Sequence, residues 1–239
     1  MGFDGRSVVV TGGTGHLGAT VVRRFLEAGA HVAVPVRDAG KGSELRDGLS
    51  GLAGTGTDAR LFVAEAQAAD LAAMERFVEA VMTRWGRVDA LANLAGHFAS
   101  GPAWDLDLLR QLWEDNFMSV ATATATCLRP MRARGYGRIV SVSAYGSLRG
   151  GKETAAYAAS KNAIVRWTES MAAALKDEGI TVNAVLPSTI DHPDNRAAMP
   201  KVDPAKWVSP DELASLILFL VSEEASGVTG SAIPVLGRT

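Results

Sequence analysis

The sequence predicts a single α/β domain with a seven-stranded, mainly parallel sheet that is doubly wound, with helices on both faces. Seven short apolar runs alternate with longer amphipathic segments, the pattern of strands joined by helical crossovers. The runs are continuously apolar, as expected for strands covered on both faces. No linker, repeat or charge block interrupts the 239 residues, so residues 1–239 are expected to form one domain.

The apolar runs are assigned to strands and the segments between them to helices. The predicted strands are Ser7–Thr11, His31–Val36, Arg60–Ala64, Val88–Asn93, Arg138–Ser143, Thr181–Leu186 and Ser231–Leu236. The predicted helices are Leu17–Ala28, Leu71–Trp85, Leu106–Ala133, Ala155–Glu178 and Pro210–Ser222. The longest irregular segment is residues 187–207. Such a long loop in a compact domain is usually functional or mobile, so we interpret it as a substrate loop or lid.

Composition excludes several classes of function. The net charge of -2 provides no basic field for nucleic acid or an anionic membrane. The single cysteine, Cys127, rules out an intrachain disulfide and a cysteine-rich metal site. No histidine pair has metal-site spacing with carboxylates, so no metal is predicted. The chain has neither a signal-peptide pattern nor an apolar run of the ~18 residues that span a bilayer, so a cytoplasmic location is expected.

A glycine-rich turn follows the first predicted strand and opens the first helix. It reads Gly12-Gly13-Thr14-Gly15-His16-Leu17-Gly18. Glycines let the backbone turn sharply and approach a pyrophosphate, while the helix N-terminus offers free N–H groups and a positive dipole end. A strand–turn–helix junction is the context that this motif requires. We therefore expect a dinucleotide cofactor here, bound by Gly12, Thr14, Gly15, His16, Leu17 and Gly18.

The tip of the second strand bears on which dinucleotide is bound. An acidic residue there accepts hydrogen bonds from the adenosine ribose, whereas an arginine pairs with a 2′-phosphate. The usual acidic position falls on Val36, and Arg37 follows it. This pattern favours NADP(H) over NAD(H). Asp38 comes next, and a shifted register would reverse the preference.

Tyr157 and Lys161 lie four residues apart at the start of a predicted long helix. Residues at this spacing share one helix face, so the phenol and the ammonium project together. A nearby cation stabilises phenolate and is expected to lower the tyrosine pKa. A tyrosine tuned in this way can donate a proton to a carbonyl oxygen while hydride arrives from a nicotinamide.

With these motifs taken together, the chain resembles the short-chain dehydrogenase/reductase family from end to end. The matching segments are Thr11–Gly18, Asn93-Leu94-Ala95-Gly96, Asn116, Gly137–Ala144, Tyr157…Lys161 and Val182–Pro187. The resemblance implies a Rossmann-type fold and an oxidoreductase that transfers hydride between nicotinamide and a small carbonyl or alcohol substrate. It also implies a homodimer or homotetramer.

The resemblance also implies individual roles. Tyr157 would be the general acid or base, Lys161 would hold the nicotinamide ribose, and Asn116 would position a water for proton relay. Glu65 stands where family members often carry an aspartate that touches adenine. The other implied cofactor contacts, in addition to Tyr157 and Lys161, are Asn93, Ala95, Gly96, Pro187 and Ile190.

The chain departs from the family where a serine usually polarises the substrate carbonyl, thirteen residues before the tyrosine. That position is Ala144. Ser143 precedes it, but a regular strand would turn Ser143 away from the site, whereas a bulge could re-aim it. Tyr145 and Ser147 are other candidate hydroxyls. Ser143 is retained as a candidate fourth catalytic residue, after Asn116, Tyr157 and Lys161.

Two departures resemble the dihydropteridine reductase branch of the family. Its members share the early middle glycine, here Gly15, and an alanine at the serine position; residues 195–200 also resemble their loop. The branch normally carries an acid at the second strand tip, unlike this chain. Reduction of a quinonoid pterin therefore stays open as an alternative function. A third alternative, from a different class, is a catalytically silent NADP(H)-binding sensor.

Overall fold

The computed structural model describes residues 2–54 and 59–238. Among them, seven strands form one sheet in the order β3-β2-β1-β4-β5-β6-β7, with every neighbouring pair parallel. From β1 the chain winds outward to β3 and then, from β4, to the opposite edge, so the sheet is doubly wound. The predicted fold class is confirmed. The strands are β1 Ser7–Thr11, β2 His31–Val36, β3 Leu61–Glu65, β4 Ala90–Asn93, β5 Gly137–Val142, β6 Ile180–Pro187 and β7 Ala232–Val235.

The α-helices connect these strands. They are α1 His16–Glu27, α2 Ala39–Gly48, α3 Ser50–Ala53, α4 Leu71–Trp85, α5 Leu106–Leu112, α6 Ser119–Arg134, α7 Ala155–Leu175, α8 Pro193–Ala198 and α9 Pro210–Leu220. The sequence analysis assigned no bounds to α2, whose three glycines weaken its intrinsic helix propensity. The Asp38 side chain caps this helix by accepting hydrogen bonds from the Gly40 and Lys41 amides, which satisfies two of its free N–H groups.

The predicted helix Leu106–Ala133 is not a uniform α-helix. Between α5 and α6, Trp113–Met118 form a π-helical turn, in which the Ser119 amide donates to the carbonyl of Glu114. The wider turn admits one extra residue and changes the direction of the side chains along it. Asp115 and Asn116 lie on this turn, which is therefore central to the site described below.

The core is divided between the two faces of the sheet. On β1, Val8 and Val10 belong to one buried apolar cluster with residues of α1 and α9, whereas Val9 belongs to a second cluster with residues of α4 and α6. This alternation follows from the two-residue period of a strand. Among the described residues, no helix is both long and apolar enough to cross a membrane.

The segment 187–207 is only partly irregular. It contains α8 and a short 3₁₀ turn, Pro204–Lys206, and Ile190 forms an isolated parallel bridge with Val208. Trp207 is only 3% exposed. The end of the segment is therefore anchored in the protein interior by Trp207, and this side chain does not lie over an open pocket.

Candidate active site

The candidate residues gather at the carboxyl edge of the sheet, where β1 lies between β2 and β4. After β1, the chain adds β2 and β3 on one side of β1, and β4 later pairs with the other side of β1. Ligands of open α/β sheets bind in the crevice outside the strand ends at such a switch point. We call this crevice, bordered by the ends of β1, β2 and β4, the groove.

The glycine-rich turn after β1 is tightly packed. Gly12 has a φ of +68°, and a Cβ there would lie 2.7 Å from the Ala95 nitrogen. A Cβ on Gly18 would collide with the carbonyl oxygen of Gly12. Both positions therefore need glycine, the first for its backbone angle and its contact with the segment after β4, the second for close packing of helix against turn.

Helix α1 points its open N-terminus into the groove. Its N-cap, Gly15, supplies no side-chain hydrogen bond to the first turn, so the free amides there are available to a ligand. Gly15 and His16 are exposed, and Thr14 and Leu17 are half-buried. The His16 ring lies edge-on to the ring of His192 with centroids 4.8 Å apart, so the segment 187–207 contacts the turn.

The tip of β2 presents a cation to the groove. The Arg37 side chain is 70% exposed, and its Nη1 lies 3.6 Å from Oδ1 of Asp115 on the π-helical turn. The Asp38 carboxylate instead accepts hydrogen bonds from the Gly40 and Lys41 amides, at 2.8 and 3.2 Å. Asp38 is therefore engaged in the cap of α2, while Arg37 faces solvent at the groove.

Asn116 connects the segment after β4 to α7 through hydrogen bonds. It is fully buried; its Nδ2 donates to the His97 carbonyl and to Ser160 Oγ, both at 3.1 Å, and its Oδ1 accepts from the His97 amide at 2.8 Å. Gly96 has a φ of +135°, and a Cβ there would collide with Asn116 Oδ1 and lie 3.1 Å from Lys161 Nζ. Because Gly96 has no side chain, its backbone can lie close to both the Asn116 amide and the Lys161 ammonium.

Tyr157 and Lys161 lie on the first turns of α7, as the sequence predicts. Lys161 Nζ donates to the Val142 carbonyl at 3.1 Å, and burial lowers the pKa of Lys161 to about 8. Burial raises the pKa of Tyr157 to about 12. The expected lowering of the Tyr157 pKa by Lys161 is wrong for this structure, because the loss of hydration around the phenol dominates.

An aromatic side chain covers the tyrosine. The Phe98 ring meets the Tyr157 ring edge-on, with centroids 4.9 Å apart, and Phe98 is 62% exposed. Aromatic pairs favour this arrangement. Phe98 therefore forms an apolar wall between Tyr157 and solvent, a feature that the sequence analysis did not single out.

Comparison with known proteins agrees with this geometry. A family model described as short chain dehydrogenase matches residues 6–202. The chain belongs to this family. A putative ketoacyl reductase of Streptomyces coelicolor is 31% identical over 98% of this chain and 97% of the relative. The 3-oxoacyl-[acyl-carrier-protein] reductase MabA of Mycobacterium tuberculosis is 31% identical over 98% of the chain and 93% of the relative.

The fold is also that of solved short-chain dehydrogenases. A short-chain type dehydrogenase/reductase from Mycobacterium ulcerans superposes with a TM-score of 0.92 at 23% identity, covering 100% of this chain and 90% of that one. Because the related sequences are reductases of the same family, this short-chain dehydrogenase is an oxidoreductase. The specific resemblance to dihydropteridine reductases receives no support from these relatives.

The two serine hydroxyls near Ala144 donate hydrogen bonds within the protein. Ser143 is 2% exposed, and its Oγ donates to the Lys161 carbonyl at 2.6 Å. Ser147 is buried, and its Oγ donates to the Ala144 carbonyl at 2.7 Å. Tyr145 is 42% exposed. In this arrangement Ser143 does not present its hydroxyl to a substrate, since the hydroxyl proton is bound to the first turns of α7.

The remaining predicted cofactor residues occupy the same edge in different ways. Glu65 is exposed at the end of β3, opposite Val36 in register, Pro187 ends β6, and Ile190 bridges Val208. Asn93 is fully buried, and its amide donates to Thr124 and Ser141 hydroxyls. The Asn93 side chain therefore does not line the groove as expected; it ties the end of β4 to α6 and β5.

Thr11 was not predicted as a site residue, yet its hydroxyl accepts from the Leu94 and Ala95 amides, at 3.2 and 3.3 Å. It sets the spacing between the glycine-rich turn and the segment after β4. Asp115 was also missed, because the π-helical turn that orients it has no signature in an apolar periodicity. Within residues 2–54 and 59–238, no group of three or more metal-ligating side chains is found.

Proposed function

We propose that this short-chain dehydrogenase is an NADPH-dependent reductase that delivers hydride to the carbonyl of a small, apolar β-ketoacyl-type substrate, with Tyr157 as the proton donor. The observation that supports this best is the buried constellation at the groove. Asn116 holds the segment after β4, and Lys161 lies four residues after Tyr157 on α7, a spacing that places both on one face of the helix. A protein that only binds the cofactor has no need of a tyrosine phenol beside Lys161 or of the buried Asn116.

The groove fits a dinucleotide. A side chain at Gly12 or Gly18 would fill the turn, and the α1 amides stand free of side-chain caps. These are the features that a pyrophosphate requires. The exposed Arg37 would pair with a 2′-phosphate. Because Asp38 is committed to the cap of α2, the structure supports NADP(H) as the preferred cofactor.

The raised pKa of Tyr157, about 12, keeps its phenol protonated at neutral pH. Its Oη is then a proton donor for a carbonyl oxygen that gains negative charge during reduction. Lys161, once close to Tyr157 and the cofactor ribose, would stabilise the phenolate left behind. A bound nicotinamide would supply the hydride.

The proposed substrate class is supported by the mouth of the site and by the names of the relatives. Phe98 offers an apolar wall beside Tyr157, which suits an acyl chain rather than a charged group. Both sequence relatives named above are ketoacyl or oxoacyl reductases by name. The pterin alternative rests on Ala144, since the substrate of such an enzyme needs no serine to polarise a carbonyl.

The decisive experiment replaces Tyr157 with phenylalanine. We expect Tyr157→Phe to lose at least about a hundred-fold in turnover and to bind NADPH nearly as tightly as the unaltered protein. Tyr136→Phe is the matched control, because Tyr136 precedes β5 at the opposite end of the strand. Unchanged turnover in Tyr157→Phe would overturn the assignment of Tyr157 as the proton donor. NADPH binding without turnover of any substrate by the unaltered protein would instead make the silent sensor the better description.

A substrate panel tests the substrate class. NADPH oxidation would be followed with β-ketoacyl thioesters, simple ketones, quinones and a quinonoid dihydropterin. We expect the thioesters to give the highest kcat/KM. A preference for the dihydropterin by an order of magnitude would replace the proposed substrate class with the pterin reaction. Assembly as a homodimer or homotetramer and a cytoplasmic location stay predictions, the first checked by light scattering of the purified protein.

A further inference from the structure

The Asp115 carboxylate contacts two residues from opposite sides of the groove. Its Oδ1 lies 3.6 Å from Arg37 Nη1, and its Oδ2 lies 3.5 Å from His97 Nδ1. Nothing in the proton transfer proposed for Tyr157 requires this carboxylate. An acidic side chain at a site expected to bind a phosphorylated cofactor therefore needs a separate explanation.

The strand order shows what the Arg37–Asp115 pair crosses. Arg37 follows β2, and Asp115 is fixed near the segment that follows β4. Strand β1 lies between those two strands, and the glycine-rich turn continues from its end. The pair thus reaches across the groove at the switch point, where a dinucleotide would enter.

The two partners differ in how firmly they are held. Asp115 is 21% exposed, and the next residue, Asn116, is hydrogen-bonded to both backbone groups of His97. Arg37 is 70% exposed. An exposed pair of this kind contributes little energy, so Arg37 can leave Asp115 at small cost while the carboxylate stays in place.

We propose that Asp115 is a specificity-determining residue for the coenzyme, which holds Arg37 across the groove in the free protein and competes with the cofactor 2′-phosphate for that guanidinium. The inference rests on the proposed NADPH preference. Binding of a 2′-phosphate must break the Arg37–Asp115 pair and leaves a carboxylate near the new phosphate, and both effects weaken the affinity. NADH, which lacks this phosphate, would not meet either cost.

Replacement of Asp115 with asparagine tests the proposal by equilibrium binding. Affinities would be measured by calorimetry for NADPH, NADH, adenosine 2′,5′-bisphosphate and AMP. We expect Asp115→Asn to bind NADPH and the bisphosphate about two- to five-fold more tightly, with NADH and AMP unchanged. Glu114→Gln is the matched control, because it removes the same charge from the adjacent, exposed position and should change no affinity.

Arg37→Gln and the double variant Arg37→Gln/Asp115→Asn distinguish a failure of the proposed competition from a failure of the proposed NADPH preference. If Arg37→Gln weakens NADPH but not NADH, the coenzyme preference stands; an Asp115→Asn variant with unaltered or weaker NADPH binding then overturns the competition alone. If Arg37→Gln leaves NADPH binding unchanged, the coenzyme preference and the competition fall together. A gain from Asp115→Asn that is just as large without Arg37 also overturns the competition, because repulsion by the carboxylate would then account for all of it. Unchanged NADH binding in each variant shows that the site is still folded.

Discussion

The hydroxyl of Ser143 donates a hydrogen bond of 2.6 Å to the backbone carbonyl of Lys161. Residue 161 is thereby held twice by the end of β5, since its ammonium donates to the Val142 carbonyl as well. The serine next to the family's usual catalytic position therefore acts on the placement of Lys161. It is a positioning residue, and its removal should affect folding more than chemistry.

Ser143→Ala tests this role. Loss of the buried hydroxyl leaves the Lys161 carbonyl without this partner, so we expect the free energy of unfolding to fall by about 1–3 kcal/mol. The value would be measured by urea unfolding. KM for NADPH should rise while kcat changes little, because Lys161 is proposed to hold the cofactor ribose. A large loss of kcat at unaltered stability would instead assign Ser143 to substrate contact.

Ala144→Ser tests the consequence of the missing family hydroxyl. Ala144 is extended and 8% exposed, and a serine adopts this backbone conformation without strain. We expect kcat/KM for a β-ketoacyl thioester to rise by about ten-fold, since a well-placed donor to a developing oxyanion is worth up to about a hundred-fold or more. Ala144→Gly is the control without a hydroxyl. No gain would indicate that Tyr145 or the substrate already fills the position.

The pH dependence of cofactor binding tests the burial of Lys161. Its pKa of about 8 lies below the ordinary value of 10.5, so the cation that would hold the ribose is lost as the pH rises above about 8. We expect NADPH affinity to weaken by up to about ten-fold per pH unit beyond that midpoint. Lys161→Met should bind weakly at every pH and show no midpoint there.

The same shift has a consequence for stability with a definite sign. Between pH 8 and 10.5 the folded protein binds fewer protons at Lys161 than the unfolded chain does, so this residue makes the protein more stable as the pH rises through that window. The contribution is complete above pH 10.5 and is lost as the pH falls to about 8. Lys161→Met should flatten this part of the profile of unfolding free energy against pH.

Alanine substitutions at two glycines of the turn should affect stability and NADPH binding differently. A Cβ on Gly18 would collide with the Gly12 carbonyl, so Gly18→Ala should displace α1 and weaken NADPH binding by at least about ten-fold. A Cβ on Gly15 would only touch the Gly12 oxygen at 3.4 Å, so Gly15→Ala should fold with unaltered melting temperature. Equal melting temperatures and equal NADPH affinities for the two variants would contradict the packing described.

Much of this fold can be predicted from the sequence, because buried parallel strands appear in it as short apolar runs. The bounds of β1 and β2 agree with the prediction, and the others shift by one or two residues. Helix α2 could not be delimited, since its glycines weaken local propensity and its cap at Asp38 depends on tertiary geometry. The π-helical turn was equally hidden, because one wide turn leaves the apolar pattern on each side intact.

The placement of the candidate site residues is predictable where it depends on helix spacing, as for Tyr157 and Lys161 on α7. It is less predictable where a polar side chain has several possible hydrogen-bond partners. Asn93 carries a family motif, yet its amide turns inward to Thr124 and Ser141. The pKa of Tyr157 moves opposite to the prediction, because sequence spacing reveals a neighbouring cation but not how much water burial removes.

The π-helical turn Trp113–Met118 separates two registers within one continuous helix. Each residue of an α-helix rotates by about 100°, so the extra residue of the wide turn offsets every side chain after it from those before. Deletion of a single residue from this turn would restore an ordinary α-helix. If the residues of α6 that face the core then kept their positions, the side chains of Asp115 and Asn116 would rotate away from Arg37 and His97. The extra residue of this turn therefore lets one helix serve both the core, through α6, and the groove wall, through Asp115 and Asn116.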